Sequence, residues 1–535
     1  MNSLAGTGTL LRLALRRDRI MLPAWVYVLT AAAVSTAYSF GRLYATAAAR
    51  EQFAAGMNTN SSLRALYGPV YDASLGGLTA WRMGAFGALL AGLMSILLVV
   101  RHTRAEEEDG RLELVGAGAV GRRAPLTAAL LAALSANLLL AVLVTAGLAV
   151  LGQPLGGAAA FGSALAACGL VFAGVAAVTA QVAETGRAAN GAAGAVLGAA
   201  FVLRAAGDSA ADSANSTTGR LSWLSPIGWA EQVRPFASDR WWVVALGLLT
   251  ACLLAAAAYV LVGHRDLGAG LLPQRPGPAN AAPALRTHLA LAWRLQRGTL
   301  YGWCAAFAVA GAVFGGVAGG VASLIGDNRQ VSDILRRIGG QQAISDAYLA
   351  TILGLLGMVA AVYAVQSVQR LRGEELGGRA EPVLATAVSR TAWAGGHLLF
   401  PLLGSAALLT IGGLTAGLTS GASLGNLPGH LGSLLGGALV QLPAVWLAAG
   451  VTLALLGLRP RWTSAGWGVL AAFLVIGWLG PVLRFGRPIL DLSPFTHLPH
   501  LPGGAFDLQP LLWLTALAAA LAVSGLAALR RRDLD

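Results

Sequence analysis

Long apolar runs recur along the whole 535-residue chain and are separated by short polar stretches. A run of about 18 or more apolar residues can cross roughly 30 Å of hydrocarbon as a helix. No alternating pattern of the kind that builds a transmembrane barrel is evident. The pattern therefore predicts an all-α polytopic membrane protein with about 12 spans. These are residues 22–41, 82–101, 124–151, 157–183, 188–206, 241–263, 300–325, 347–369, 393–420, 429–457, 464–484 and 509–529.

The polar stretches divide these spans into two sets of six. Residues 4–21 mix Leu with Arg, which is typical of an interfacial helix lying on the inner leaflet. Residues 264–290 contain four prolines and are predicted to form a cytoplasmic linker. We therefore expect a first half at 1–263 and a second half at 291–535.

Composition agrees with a membrane protein and narrows its chemistry. Hydrophobic residues make up 56% of the chain and the mean hydropathy is +0.67, which is too apolar for a soluble protein of this length. All 37 basic residues are Arg, scattered over short loops, so they indicate topology and not a nucleic-acid site. Most of them fall on the side of the membrane that holds the N-terminus, which by the positive-inside rule predicts that both termini are cytoplasmic. Because Lys is absent, the chain has no phosphate-binding loop ending in Gly-Lys-Ser/Thr.

The two sets of spans are copies of one another. Three short motifs recur in the same order and at nearly the same register, too many to arise by chance. Because each set has an even number of spans, both copies have the same orientation, and a pseudo-twofold axis along the membrane normal is expected. The pairs are Arg104-Ala-Glu-Glu-Glu-Asp-Gly-Arg-Leu-Glu with Arg372-Gly-Glu-Glu-Leu-Gly-Gly-Arg-Ala-Glu, Leu224-Ser-Pro with Leu492-Ser-Pro, and Arg265-Asp-Leu with Arg532-Asp-Leu.

The repeated Glu-rich motifs, at 102–123 and 370–391, follow the second span of each half and are called here the coupling segments. A solvated turn that only anchors two helices at the inner membrane surface requires Arg but has no use for paired glutamates. A docking surface for a partner protein of complementary charge explains these glutamates better. We expect a short amphipathic helix with Glu and Arg on its exposed face. The candidate residues are Glu107, Gly110, Arg111, Glu113, Glu375, Gly378, Arg379 and Glu381.

The Leu-Ser-Pro motifs precede the sixth span of each half, on the external side. Ser-Pro favours a sharp turn, which predicts short helices that cap the outer end of a transport path. These candidate gate residues are Ser225, Pro226, Ser493 and Pro494. Candidate path residues are Phe86, Met94 and Phe201, for which ordinary core packing is the alternative. The spans show no acidic residue at mid-depth, which argues against a proton relay, and no metal site is predicted.

These features together resemble the permease of ABC type-2 exporters, and in particular the actinobacterial permeases of the polyketide-antibiotic exporter family. The resemblance implies a transport subunit that is not itself an enzyme and carries no cofactor. It also implies two copies of a separate ATPase, which bind ATP and Mg and rest against the coupling segments. The cargo would be an amphipathic drug or antibiotic. Leu376 and Pro382 stand where the first copy has Glu108 and Leu114, so the two docking sites are not expected to be identical.

Two other classes remain open. A proton-coupled secondary transporter can share the parallel repeat, but it lacks support from mid-span carboxylates or from a Gly-x-x-x-Asp-Arg-x-Gly-Arg loop after the second span. A polytopic transferase would need a carboxylate at the membrane face, for which Asp72 is a candidate without a counterpart in the second half.

Overall fold

The computed structural model describes residues 3–59, 61–112, 118, 120–209, 217–266, 268–272, 280, 282, 285, 287–326, 340–480 and 486–532. Over these residues the chain is helical and contains no β-strand, which confirms the all-α class. The contacts divide the chain into two compact units, Met1–Pro276 and Gly277–Asp535.

The first unit begins with a short amphipathic helix and continues with long apolar ones. Two short helices, α3 and α4, lie in the loop between its first two spans. Its helices are α1 (Thr7–Arg17), α2 (Met21–Leu43), α3 (Ala47–Thr59), α4 (Ser61–Tyr67), α5 (Leu75–Arg101), α6 (Arg104–Glu108), α7 (Ala124–Val150), α8 (Leu155–Val182), α9 (Gly186–Ser209), α10 (Pro226–Gln232) and α11 (Trp241–Gly263), with a 3-10 helix at Thr217–Leu224.

The second unit has the same order of long helices, with two interruptions at prolines. A π-helical turn at Phe400–Gly404 interrupts its third span and a break before Leu442 interrupts its fourth. Its helices are α12 (His288–Gly326), α13 (Gly340–Leu376), α14 (Ala380–Leu384), α15 (Arg390–Leu399), α16 (Ser405–Leu424), α17 (Leu427–Leu439), α18 (Leu442–Leu458), α19 (Ala465–Leu479), α20 (Arg487–Leu490) and α21 (Leu508–Arg531), with 3-10 helices at Pro460–Trp462 and Pro494–His497.

Eleven helical segments among the described residues are long and apolar enough to cross a membrane. The predicted span at 464–484 is not among them, because α19 has only 15 residues and extends about 22 Å. It is followed by 481–485, outside the described residues. The chain is a multi-pass membrane protein.

In each unit the second and fourth spans form the centre. Leu75–Glu108 and Leu155–Val182 are mostly buried in the first unit, as are Ser345–Leu376 and Leu427–Leu458 in the second. The first and sixth spans of each unit are largely exposed, which is the arrangement expected for helices that face lipid. The coupling segments, which follow the second span, are therefore attached to a central helix of each unit.

The two units differ at their entry helices. In the first unit α1 ends at Arg17 and α2 begins at Met21, whereas α12 runs unbroken for 39 residues over the corresponding stretch. Pro23 accounts for the break, because its ring excludes a helix that continues from the preceding turn. Tyr301 takes the place of Pro23 in the second copy and allows the helix to continue.

Candidate functional site

The first coupling segment is fixed to its own unit by a buried ionic network around Glu107. Arg104 Nη1 lies 2.6 Å from Glu107 Oε2. Arg265 forms a bidentate pair with the same carboxylate, in which Nη1 donates to Oε2 at 2.9 Å and Nη2 donates to Oε1 at 2.5 Å. Arg104 also donates to the carbonyls of Ala180, at 3.0 Å, and Ala269, at 2.9 Å. The carboxylate therefore joins the start of the segment to the end of the fourth span and to the residues after the sixth.

The same network recurs around Glu375 in the second unit. Arg372 Nη1 lies 3.1 Å from Glu375 Oε2, and Arg532 Nη2 lies 2.5 Å from Glu375 Oε1. Each of these residues corresponds to a member of the Glu107 network, so the Glu-rich motif and the Arg-Asp-Leu motif meet in both halves. This contact explains why the two motifs recur together.

A further arginine closes each network at the far end of the coupling segment. Arg122 donates to the carbonyl of Arg265 in the first unit. Arg390 donates to the carbonyl of Arg532 in the second unit. Both ends of each segment are thus fastened to the same residue of the Arg-Asp-Leu motif, and the segment forms a closed loop.

The glutamates at the centre of these networks are buried, with side-chain exposure of 8% for Glu107 and 1% for Glu375. The expectation that they lie on an exposed face is therefore wrong. Desolvating a carboxylate is costly unless cations and hydrogen bonds surround it, and here two arginines do so. Their ion pairs fix the segment to its own unit.

The exposed part of each segment lies one turn later. Arg111 is 50% exposed and pairs with Glu106 at 3.4 Å, while Arg379 is 58% exposed and pairs with Glu374 at 2.8 Å. The hydrogen bond from Arg379 to Glu374 raises the pKa of Arg379 above its ordinary value, so its charge is retained. Glu381, on α14, is also exposed.

The remaining predicted residues of the coupling segments are two glycines and Glu113. Gly110 and Gly378 have φ of +70° and +65°, a left-handed conformation that ends the preceding helical turn and suits glycine. Glu113 lies outside the described residues. The coupling role of all these residues stays a prediction.

The two units differ in one buried cluster next to the start of the coupling segment. In the first unit Asp18 Oδ1 forms an ion pair with Arg101 Nη1 at 3.0 Å, and Asp18 Oδ2 lies 2.5 Å from His102 Nε2. In the second unit the position of Asp18 is taken by Gln296, which contacts His397 Nδ1 at 3.1 Å. An ionic cluster in one half is therefore replaced by a neutral hydrogen bond in the other.

A cavity of about 430 Å³ adjoins the Glu107 network in the first unit. Its wall combines charged groups, including Glu107, Arg122 and Asp266, with apolar side chains such as Leu112 and Leu126. A mixed, open cavity of this size has room for several side chains of a partner protein.

Comparison of the chain with known proteins identifies the family to which it belongs. A family model described as the C-terminal domain of the multidrug efflux system permease Rv1217c matches residues 285–530. Over its full length the chain is similar to the multidrug efflux system permease protein Rv1217c of Mycobacterium tuberculosis strain H37Rv, with 46% identity over 530 residues, covering 99% of this chain and 95% of the relative. The chain belongs to this permease family. As a permease, it is a transport subunit.

The Leu-Ser-Pro serines of the permease are both buried and both bind the preceding span. Ser225 Oγ donates to the carbonyl of Ala200 at 2.7 Å, and Ser493 Oγ donates to that of Phe473 at 2.8 Å. Ser225 additionally caps α10, which begins at Pro226, and Pro494 begins a 3-10 helix. Each motif therefore attaches a short helix to the longer helix before it, α9 in the first unit and α19 in the second, and its gating role stays a prediction.

Two of the three predicted path residues contact each other. The ring centres of Phe86 and Phe201 lie 5.8 Å apart, and the Tyr67 ring, tilted by 60°, lies 5.7 Å from that of Phe86. Met94 is instead 3% exposed in the apolar core of the first unit, as core packing requires. Neither observation tests transport through this region, so the path remains a prediction.

Sequence reasoning missed a charged cluster beside these rings. Arg204, 0% exposed, lies on α9 with its guanidinium 4.7 Å from the centre of the Phe201 ring and pairs with Asp208 and Glu231. Buried carboxylates therefore occur at the end of a span, although the sequence indicates none at mid-depth. The signal was present, since an arginine inside a predicted span requires a partner in the same protein.

Proposed function

We propose that this chain is the membrane permease subunit of an ATP-driven exporter of amphipathic compounds such as drugs or antibiotics. The full-length similarity to a multidrug efflux system permease carries this proposal. ATP and Mg would bind a separately encoded ATPase, two copies of which would rest under the two halves. Both termini would then be cytoplasmic, in the plasma membrane of a bacterium.

The coupling segments suit the transmission of force from such an ATPase. Their exposed residues, Arg111, Arg379 and Glu381, are available to a partner with complementary charge. The buried networks behind them connect each segment to other parts of its unit, so a push on the segment moves the spans with it. The cavity beside Glu107 adds a site where side chains of the ATPase can insert.

Purification of the chain from its native membrane tests the proposal. We expect a co-purifying ATPase at two copies per chain and vanadate-sensitive ATP hydrolysis that transported compounds stimulate. A lone chain whose transport follows the proton gradient would instead establish the secondary transporter.

A matched set of variants then locates the contact. We expect Arg111→Glu together with Arg379→Glu to abolish co-purification, since both reverse a charge on the exposed part of the coupling segments. Glu51→Gln, at an exposed position of α3 between the first two spans, is the control. Retention of the ATPase by the double variant would remove the coupling segments from the interface.

A further inference from the structure

Two buried carboxylates share one arginine at the end of the first unit that holds the Leu-Ser-Pro motif. Arg204 Nη1 lies 3.0 Å from Glu231 Oε1 and 3.4 Å from Asp208 Oδ2. Its other terminal nitrogen donates to the carbonyls of Ala65, at 2.8 Å, and Leu66, at 3.1 Å. The guanidinium therefore joins α9 to α10 and to α4, and both carboxylates face a single nitrogen.

The fold provides a dedicated slot for the Glu231 side chain. A Cβ on Gly68 would lie 2.7 Å from Glu231 Oε2, and one on Gly84 would lie 3.8 Å from its Cγ. Gly68 also has a φ of +83°, which favours glycine independently of space. The carboxylate is enclosed by backbone on these sides and is separated from bulk water.

Other charged and titratable groups face this slot from several elements. From α4, Arg64 donates to the carbonyls of Asn58 and Ser209 and interacts with the charge of Asp208. After α10, Arg234 stacks on the Tyr71 ring at 4.3 Å. Arg64 and Arg234 therefore lie at the edge of the cluster, whereas Arg204 lies between the carboxylates of Asp208 and Glu231.

The helices packed behind α10 complete the surroundings. From α5, Arg82 lies over the Tyr67 ring at 4.1 Å. From α8, Cys168 lines a small cavity with Ala230, next to Glu231. Arg220, on the preceding 3-10 helix, is exposed. Within the part of the chain that the structure describes, the ion pair of Glu231 is with Arg204.

A small cavity leads from Glu231 towards the loop surface. It measures about 20 Å³, enough for roughly one water molecule, and Tyr71 and Asp72 line it together with Glu231. Asp72 is half-buried, so it reaches both the cavity and the surface. Burial raises the pKa of the Tyr71 phenol, and the charge of Glu231 adds to this rise, so Tyr71 remains neutral; its hydroxyl accepts from Gln232 at 2.9 Å.

The charges of the inner triad balance only with an additional proton. One guanidinium offsets one of its two carboxylates, and a second unpaired negative charge away from water is unfavourable. Burial raises the pKa of Glu231 well above its ordinary value, the Asp208 charge adds to this rise, and Arg204 opposes it. Carboxylates that share a site in this way titrate as a pair.

We propose that Asp208 and Glu231 form a proton-binding site that holds one proton between them and exchanges it through the cavity at Tyr71 and Asp72. Proton binding removes the repulsion between two buried carboxylates that share one guanidinium, whereas proton release leaves an uncompensated buried charge and weakens the link between α9 and α10. Because α10 follows the Leu-Ser-Pro motif, pH on that side of the membrane would regulate how firmly the motif is held. In the second half the position of Arg204 is apolar, so the proton site belongs to the first half alone.

Infrared spectroscopy of the purified chain tests the proposal directly. We expect the C=O stretching band of a protonated carboxyl group to persist above the pH range in which ordinary carboxyls ionise. The band should shift in heavy water, and it should disappear with a single midpoint as the pH rises further. Glu231→Gln and Asp208→Asn should each remove it, and Glu51→Gln, which changes an exposed carboxyl, should leave it in place.

The measurement needs neither ATP nor cargo, so it is independent of the exporter proposal. Potentiometric titration provides a second readout: the wild type should release about one more proton per chain than Glu231→Gln as the pH rises through the midpoint of the band. A band that survives both substitutions, or equal proton release by wild type and variant, would overturn the proposal. If Glu231→Gln fails to fold, Asp208→Asn serves for both measurements.

Discussion

The buried network around Glu107 permits a quantitative prediction about how the coupling segment is held. Glu107→Gln keeps the side-chain size but removes the charge that binds Arg104 and Arg265. Three charge-assisted hydrogen bonds meet at this carboxylate. Breaking a buried ion pair by removing one partner costs about 3–5 kcal/mol. Since an amide keeps one acceptor, we expect a loss of about 3 kcal/mol in the free energy of unfolding.

A double-mutant cycle separates the direct interaction from the general effect. Glu107→Gln and Arg265→Gln, alone and combined, should give a coupling energy of about 2 kcal/mol, because the two residues form a bidentate pair. The corresponding pair Glu375 and Arg532 has one short contact and should couple less strongly. Equilibrium unfolding in mixed detergent micelles provides the free energies.

An exposed arginine of α1, Arg12, supplies the control. Glu107→Gln combined with Arg12→Gln should be additive to within about 0.5 kcal/mol, as for independent sites. If Glu107 and Arg265 were equally additive, the network would be a chance juxtaposition of charges and its role in fixing the segment would be refuted.

Three further predictions concern the turns and the buried carboxylate. Gly110→Ala and Gly378→Ala should each cost about 1 kcal/mol, because both positions need a positive φ; thermal unfolding checks this. Ser225→Ala should cost about 2 kcal/mol and Ser493→Ala about 1 kcal/mol in the same assay, since Ser225 both caps a helix and donates, whereas Ser493 donates only. Because the pKa of Glu231 is raised on folding, its contribution to stability is present at low pH and is lost as the pH rises from the ordinary Glu range through the raised value. Glu231→Gln should therefore flatten the dependence of unfolding temperature on pH, and an unchanged slope would contradict this.

Periodicity and length were enough to predict most of the fold. Long apolar runs can be only transmembrane helices in such a composition, so eleven spans follow from the sequence. The span expected at 464–484 is described only in part, as α19 up to Leu479, and its remainder at 481–485 lies outside the described residues, so its full length stays a prediction. The break before α2 agrees with the predicted boundary between a helix at 4–21 and a span at 22–41, and Pro23 accounts for it.

The candidate site was predicted in its residues but not in its geometry. Repetition identified Glu107 and Glu375, whereas their burial depends on Arg265 and Arg532, which lie 158 and 157 residues away in sequence. No local pattern indicates such a contact. Arg204 did carry a local signal, since it lies in a predicted span with Asp208 four residues later, but its contact with Glu231 on a different helix has no local pattern.

The entry helices give the two halves different mechanical characters. At 39 residues, α12 is about 58 Å long, nearly twice the thickness of the hydrocarbon core, so it must tilt or project beyond it. We expect an unbroken helix of this length to move as one rigid body, so that a lipid deformation at one end also displaces the other end. In the first half the break between α1 and α2 should allow the two helices to move separately. Membrane tension should therefore act on this permease mainly through its second half.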